Sequence, residues 1–220
     1  LGVNPYQLGL LASTDTHNST PGATDEDRWP GHAGTTDDTA TKRLKAKTTG
    51  GLDNTNPYFS PGGLAAVWAE ENTREAIFAA LKRRKTYGTS GTRLIVRFYK
   101  AWGDDDFCAD PAFPKKILAA GGVPMGSTVD TKGKDGKKPR FVLFAAKDKT
   151  NLSELHVIES VVRSGKAQEK VIRWKSSSSA GDATLCHTFD VDGTFDPKAP
   201  AYWYGRVLEV PTPRWSSYDC

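Results

Sequence analysis

Asp15-Thr16-His17 sets a carboxylate and an imidazole two residues apart, with the amide of Asn18 directly after them. On an extended backbone residues i and i+2 project to the same side, so both side chains are expected to reach one point. Mixed Asp/His ligation suits Zn, Mn or Fe, and a cluster of such ions generates hydroxide near neutral pH. A catalytic metal typically takes about three protein ligands and keeps one position open. Asp15 and His17 are therefore a partial set, and Asp-x-His on its own is also common in surface loops. Context has to decide between the two.

The chain has only four histidines. His156 and His187 fall in strand-like segments and read as core or surface residues. His32 stands in Trp29-Pro30-Gly31-His32-Ala33-Gly34, a turn flanked by glycines. Folded back over Asp15 and His17, it would serve as acid, base or orienting group; left in solvent, it is a loop histidine. Glu70, Glu71 and Arg74 lie where a helix begins. There they complement the helix dipole, or Glu71 and Arg74 contact substrate together with Asn18.

The elements around these residues follow from pattern. Tyr6 to Ala12 is a short apolar run between Asn4-Pro5 and polar residues, the pattern of a strand buried on both faces in a parallel sheet or barrel. Asp15 and His17 would then sit just past its C-terminal end, where α/β sheets and barrels collect their active sites. Residues 18–61 lack apolar periodicity and read as a long active-site loop. Asn72 as N-cap with Glu75 three residues on, then Ala76, Ile77, Ala80 and Leu81 with Phe78 beside them, predict a helix over residues 73–84. Its basic end, Lys82 to Lys85, complements the dipole. Beyond Gly91 strands are predicted at residues 94–99, 141–146, 155–163, 169–174, 184–189 and 202–210, with Ser164-Gly165-Lys166 as a hairpin turn. The division falls near residues 90–103, giving 1–91 and a β-rich, sandwich-like module at 92–220.

Composition narrows the function classes. The net charge of +4 is mild and evenly spread, which argues against a nucleic-acid partner. The basic run from Lys132 to Arg140 is broken by glycines and a proline and reads as a solvated turn. No apolar run approaches the ~18–20 residues of a membrane helix. Cys108, Cys186 and Cys220 have no metal-type spacing. A Cys108–Cys186 disulfide in an exported protein and two buried free thiols account for them equally well, so a periplasmic or secreted setting is favoured only slightly. The sequence opens at Leu1 and enters the apolar run almost at once, so an upstream portion of the same protein is expected to complete the site.

Leu11-Ala12-Ser13-Thr14-Asp15-Thr16-His17-Asn18 resembles the last metal-binding motif of the polymerase-and-histidinol-phosphatase (PHP) superfamily. The likeness continues through residues 62–76 (Gly62-Gly63-Leu64 to Arg74-Glu75-Ala76), 83–91, 122–126 and 207–215. Together these blocks resemble a PHP-like family catalogued as domain of unknown function 3604. The resemblance implies an α/β fold, the C-terminal part of a distorted (β/α) barrel followed by the β-rich module. It also implies a multinuclear centre of divalent transition metals (Mn, Fe or Zn), with Asp15 and His17 as metal ligands. The His-x-His motif of such proteins is not in this sequence, in keeping with an upstream portion that supplies it. The expected activity is hydrolysis of a small-molecule ester, most plausibly a phosphoester, by metal-bound hydroxide. The competing expectation is a non-catalytic module whose β-rich half binds a polymer or a protein.

Overall fold

The computed structural model describes residues 7–49, 52–55, 59–129, 138–191, 196 and 198–220. The apolar run's Tyr6 and most of the basic run from Lys132 lie outside them. In chain order the strands are β1 (Ala46–Thr49), β2 (Leu52–Thr55), β3 (Leu64–Val67), β4 (Thr86–Thr89), β5 (Ile95–Ala101), β6 (Val123–Pro124), β7 (Arg140–Ala146), β8 (Leu152–Arg163), β9 (Lys166–Lys175), β10 (Thr184–Asp190) and β11 (Ala201–Glu209). The α-helices are α1 (Ala40–Leu44), α2 (Arg74–Lys82), α3 (Phe113–Ala119) and α4 (Trp215–Asp219). The result is a mixed α/β chain that is mostly β-sheet. No closed barrel forms among the described residues, and the expected barrel is not confirmed by them.

The C-terminal half is an antiparallel sandwich. One sheet runs β10-β7-β5-β6 and the other β11-β8-β9. Their facing sides share a core that includes Val96, Phe98, Phe141, Leu143, Leu155, Val157, Leu185 and Phe189. Phe98 stacks on Phe141 at 5.4 Å, and Phe141 meets Trp203 of the second sheet at 5.1 Å. The reverse side of the first sheet is covered as well. Tyr99, Ala101 and Val142 pack there against Phe107 and against Phe113 and Ile117 of α3. Burial on both faces explains why β7 reads as a continuous apolar run rather than an alternation. Cys108 and Cys186 form a disulfide that ties the segment before α3 to β10, with a Cα–Cα distance of 5.6 Å. Of the two explanations open for the cysteines, the bond is the one realised.

The strands expected beyond Gly91 are all present, and the β8–β9 turn shows why its sequence was informative. Arg163 pairs with Lys166, leaving Ser164 (φ 50°) and Gly165 (φ 73°) as the loop. Both have positive φ, as a type I′ hairpin requires. The helix is also present, but its cap is Thr73, not Asn72. Thr73 is extended, and its hydroxyl accepts the Ala76 N–H at 3.3 Å. Only Ala80 of α2 is fully buried, while Phe78 and Leu81 are exposed. Residues 18–61 are not a featureless loop: they hold α1, the β1–β2 ladder and two 3-10 turns, Glu26–Arg28 and Gly34–Thr36. None of these is long enough to show a period in sequence. Among the described residues no helix is long and apolar enough to cross a membrane.

The expectation of a buried strand over Leu8 to Ala12 fails. The segment is not a strand, and Leu8, Leu10 and Leu11 are 77%, 62% and 60% exposed. It lies along the β3–β4 hairpin, and its leucines are left exposed by the described residues. An apolar run records that a cover is needed, and it does not record which residues supply one.

His187 sits on β10 inside the sandwich, stacked on Trp174 at 5.1 Å and meeting Phe189 edge-on at 4.8 Å. Burial holds its imidazole below the ordinary value of 6.5. The unfolded chain therefore binds more protons than the folded one just below that value, and stability rises with pH there. The contribution is complete above about pH 6.5 and is lost as pH falls through the folded value. Urea unfolding at about pH 7.5 and about pH 5 should accordingly show a smaller loss of stability for His187→Phe than for the parent chain. An equal loss would show that His187 does not set this part of the pH dependence.

Candidate functional site

Asp15 and His17 are held by a segment pressed onto the β3–β4 hairpin. The Gly63 N–H donates to the Ser13 carbonyl at 2.8 Å. Around this bond the backbones touch so closely that side chains are excluded. A Cβ on Gly62 would lie 2.5 Å from Thr14 Cα, one on Gly63 would lie 2.7 Å from Ala12 Cβ, and one on Gly88 would lie 2.8 Å from Ala12 Cβ. Gly62 also has φ +82°, a conformation that glycine adopts without strain. The hairpin itself is fastened to the sandwich. The Trp68 indole donates to the Val96 carbonyl at 2.9 Å under the Arg97 guanidinium, and the Tyr87 hydroxyl donates to the Leu94 carbonyl at 3.1 Å.

Past this contact the chain turns sharply. Asp15 has φ 50°, so the extended geometry expected to aim Asp15 and His17 the same way does not exist. Aspartate tolerates this left-handed region better than most residues. Both side chains are exposed. The turn then locks onto the His32 loop. The His17 N–H donates to the His32 carbonyl at 2.7 Å, and Asn18 Nδ2 donates to the Gly31 carbonyl at 2.6 Å. The other end of the Asn18 amide, Oδ1, accepts from the Thr20 hydroxyl and N–H. The ring of His32 thereby stands edge-on to that of His17, centroids 5.2 Å apart, and stacks on Phe59 at 4.7 Å.

A buried carboxylate shapes the loop from beneath. Asp37 accepts the His32 N–H at 2.6 Å and the Ala33 N–H at 2.8 Å. These bonds satisfy two donors that a turn would otherwise leave without partners. Gly31 is required at this point, since a Cβ there would lie 2.4 Å from the Asp37 carbonyl oxygen.

The structure thus brings His17, Asn18 and the His32 loop into one corner, with Asp15 at the turn that leads into it and its side chain in solvent. Glu71 and Arg74 are not joined to that corner by any contact among the described residues. Glu71 accepts from the Thr73 hydroxyl at 3.1 Å, and Arg74 opens α2 in solvent. Sequence reasoning missed Asp37, Phe59 and Trp215. Phe59 and Trp215 are apolar residues whose partners are distant in the chain, and Asp37, although its partners lie only four and five residues away, reads in sequence as an ordinary loop acid. The donor chemistry of the corner suits a divalent transition metal. Its donor count does not, because no three His, Cys, Asp or Glu side chains converge among the described residues. A wide cleft of about 1020 Å³ opens elsewhere, between residues 7–10, Arg84–Tyr87 and the sandwich rim at Lys100, Phe141 and Trp203. Asp15, His17 and His32 do not line it.

Fold and site together define a β-rich α/β chain that presents an exposed Asp–His corner on a braced loop. The chain belongs to the family described as "Protein of unknown function (DUF3604)", whose model it matches over residues 1–178 and 173–220. No curated protein and no solved structure matches it.

Gly88→Val is expected to lift the segment off the hairpin. Overpacking of this kind costs about 1–3 kcal/mol, readable as a lower urea midpoint, and cleavage by a protease at Leu10 or Leu11 should accelerate. An unchanged midpoint would mean that the close contact with Ala12 does not hold the segment in place.

Proposed function

We propose that this chain is part of a metal-dependent hydrolase, acting on an ester and most plausibly a phosphoester. In this reading Asp15 and His17 contribute two ligands of a multinuclear centre. The observation that carries it is the corner itself: an exposed carboxylate and imidazole, with a second imidazole at 5.2 Å held by its own braced loop. The remaining ligands would come from an upstream portion of the same protein, seated on the exposed row Leu8, Leu10 and Leu11. An apolar row of this kind beside polar, chemistry-bearing residues is typical of a surface that is covered in use.

The metals, Mn, Fe or Zn, supply Lewis acidity and lower the pKa of bound water. The chain's own residues do the rest. His32, free of the ligand role, would move a proton or orient the leaving group. Asn18 holds the His32 loop through both ends of its amide and stays a candidate for substrate contact through its remaining N–H. Glu71 and Arg74 remain candidates for a more remote part of the substrate. The Cys108–Cys186 disulfide favours a periplasmic or extracellular setting.

A second reading has an observation of its own. The cleft of about 1020 Å³ is walled by Tyr87, Phe98, Trp203 and Tyr204, with Lys100 and Arg84 beside them. Aromatic walls with a few cationic groups suit a binding module for an anionic ligand. Metal content separates the two, because the module needs none.

Elemental analysis of the purified protein, with assay against phosphate, sulfate and carboxylate esters, tests the hydrolase reading. Asp15→Ala and His17→Ala are each expected to lose most of the bound metal and nearly all hydrolysis. The double variant should lose little more, since ligands of one centre act as a unit. His32→Ala should keep the metal while hydrolysis falls by ~10²–10⁴-fold. Unchanged metal in Asp15→Ala would contradict the assignment.

A further inference from the structure

The end of the chain returns to the site. After β11 leaves the sandwich, Arg214 and α4 dock on the loop that carries His32. Trp215 is 1% exposed and packs its indole on Trp29 at 4.8 Å. Its backbone N–H donates to Glu26 Oε2 at 2.6 Å. At the far end of α4, Asp219 receives both Nε and Nη2 of Arg43, at 2.6 and 2.9 Å. This fork-on-carboxylate geometry is the strongest and most directional form of ion pair. Both side chains are largely shielded from water, and the pairing raises the Arg43 pKa further.

One contact of this dock bears directly on the site. The Phe59 carbonyl accepts two bonds, from Trp215 Nε1 at 2.8 Å and from Arg214 Nη2 at 2.8 Å. A carbonyl oxygen has two lone pairs, and the tail occupies both of them here. The Phe59 ring is the surface on which His32 stacks, and His32 in turn meets His17.

We infer that Arg214 and Trp215 are positioning residues for the site: by gripping the Phe59 carbonyl they place the ring that orients the His32 imidazole against His17. The sandwich does more than sit beside the Asp–His corner, since the segment leaving its last strand aligns it. The inference rests on reading Asp15 and His17 as metal ligands with His32 beside them, but the geometric link is measurable without metal.

The test is NMR of the protein with labelled histidines, which resolves the imidazole signal of each. Arg214→Ala removes one donor from an exposed side chain, and Trp215→Phe removes the other while keeping a ring against Trp29. Both are expected to move the His32 signal, with a smaller change at His17, and to leave His156 and His187 in the sandwich unmoved. Arg214→Lys restores a donor and should bring the His32 signal back. Tyr218→Ala, an exposed change on the same helix, should move none of the four. In Mn²⁺ titrations of the same variants of the intact protein, affinity is expected to change little, as for His32→Ala, because the residue they orient is not a ligand. A His32 signal unmoved in Arg214→Ala and Trp215→Phe overturns the inference, as does movement of all four histidines together. If the signal moves but the parent protein takes up no Mn²⁺, the positioning link stands and the metal-corner reading fails.

Discussion

The site depends on backbone meeting backbone. Ala12, Ser13 and Thr14 lie on Gly62, Gly63 and Gly88 with no room for a side chain between them. A single hydrogen bond, Gly63 to Ser13, gives the contact its register. The left-handed turn at Asp15 and the His17–His32 bond follow directly on this contact. A contact made of main chain and glycine has few rotamers to average over, so it can hold a short unpaired segment that buries little apolar surface. Such a segment is otherwise among the least stable parts of a protein.

The corner is also braced from the opposite end of the sequence. Beyond residue 91 the elements change from mixed helices and hairpins to the two antiparallel sheets. This change is not a mechanical boundary. Trp68, Tyr87 and Thr24 tie the first part to the start of the second through bonds to Val96, Leu94 and Gly91. Arg214, Trp215 and Asp219 then close the path from the far side of the sandwich. The loop bearing His32 is thus held by Asp37 from beneath, by Asn18 from the front and by the C-terminal helix from behind. Three separate contacts thus fix one turn.

What could be read from the sequence divides along physical lines. Strands β5, β7, β8, β9, β10 and β11 were legible because alternation or an apolar run marks a sheet locally, and Ser164-Gly165 marks its own turn. The helix α2 was legible from its stripe, although Asn72 and Thr73 compete as caps and only backbone geometry chooses Thr73. Helix α3 was missed because Phe113 and Ile117, one turn apart, are too few to establish a period. The Asp–His pairing was legible as chemistry but misread as geometry, because a positive φ at Asp15 leaves no mark in the sequence. The contacts of Trp215 join residues 189 and 156 positions apart. No local pattern encodes a pairing of that range. The run Leu8 to Leu11 shows the converse failure: its apolarity is plain, while its burial depends on what covers it.

The central claim is that the corner at Asp15 and His17 holds a metal. Anomalous diffraction from crystals of the intact protein grown with Zn²⁺ tests it most directly. The expected result is a peak within about 2.0–2.2 Å of an Asp15 carboxylate oxygen and a His17 ring nitrogen, with His32 unligated beside it. Zinc bound elsewhere, or a corner with no anomalous density at saturating Zn²⁺, would contradict the account.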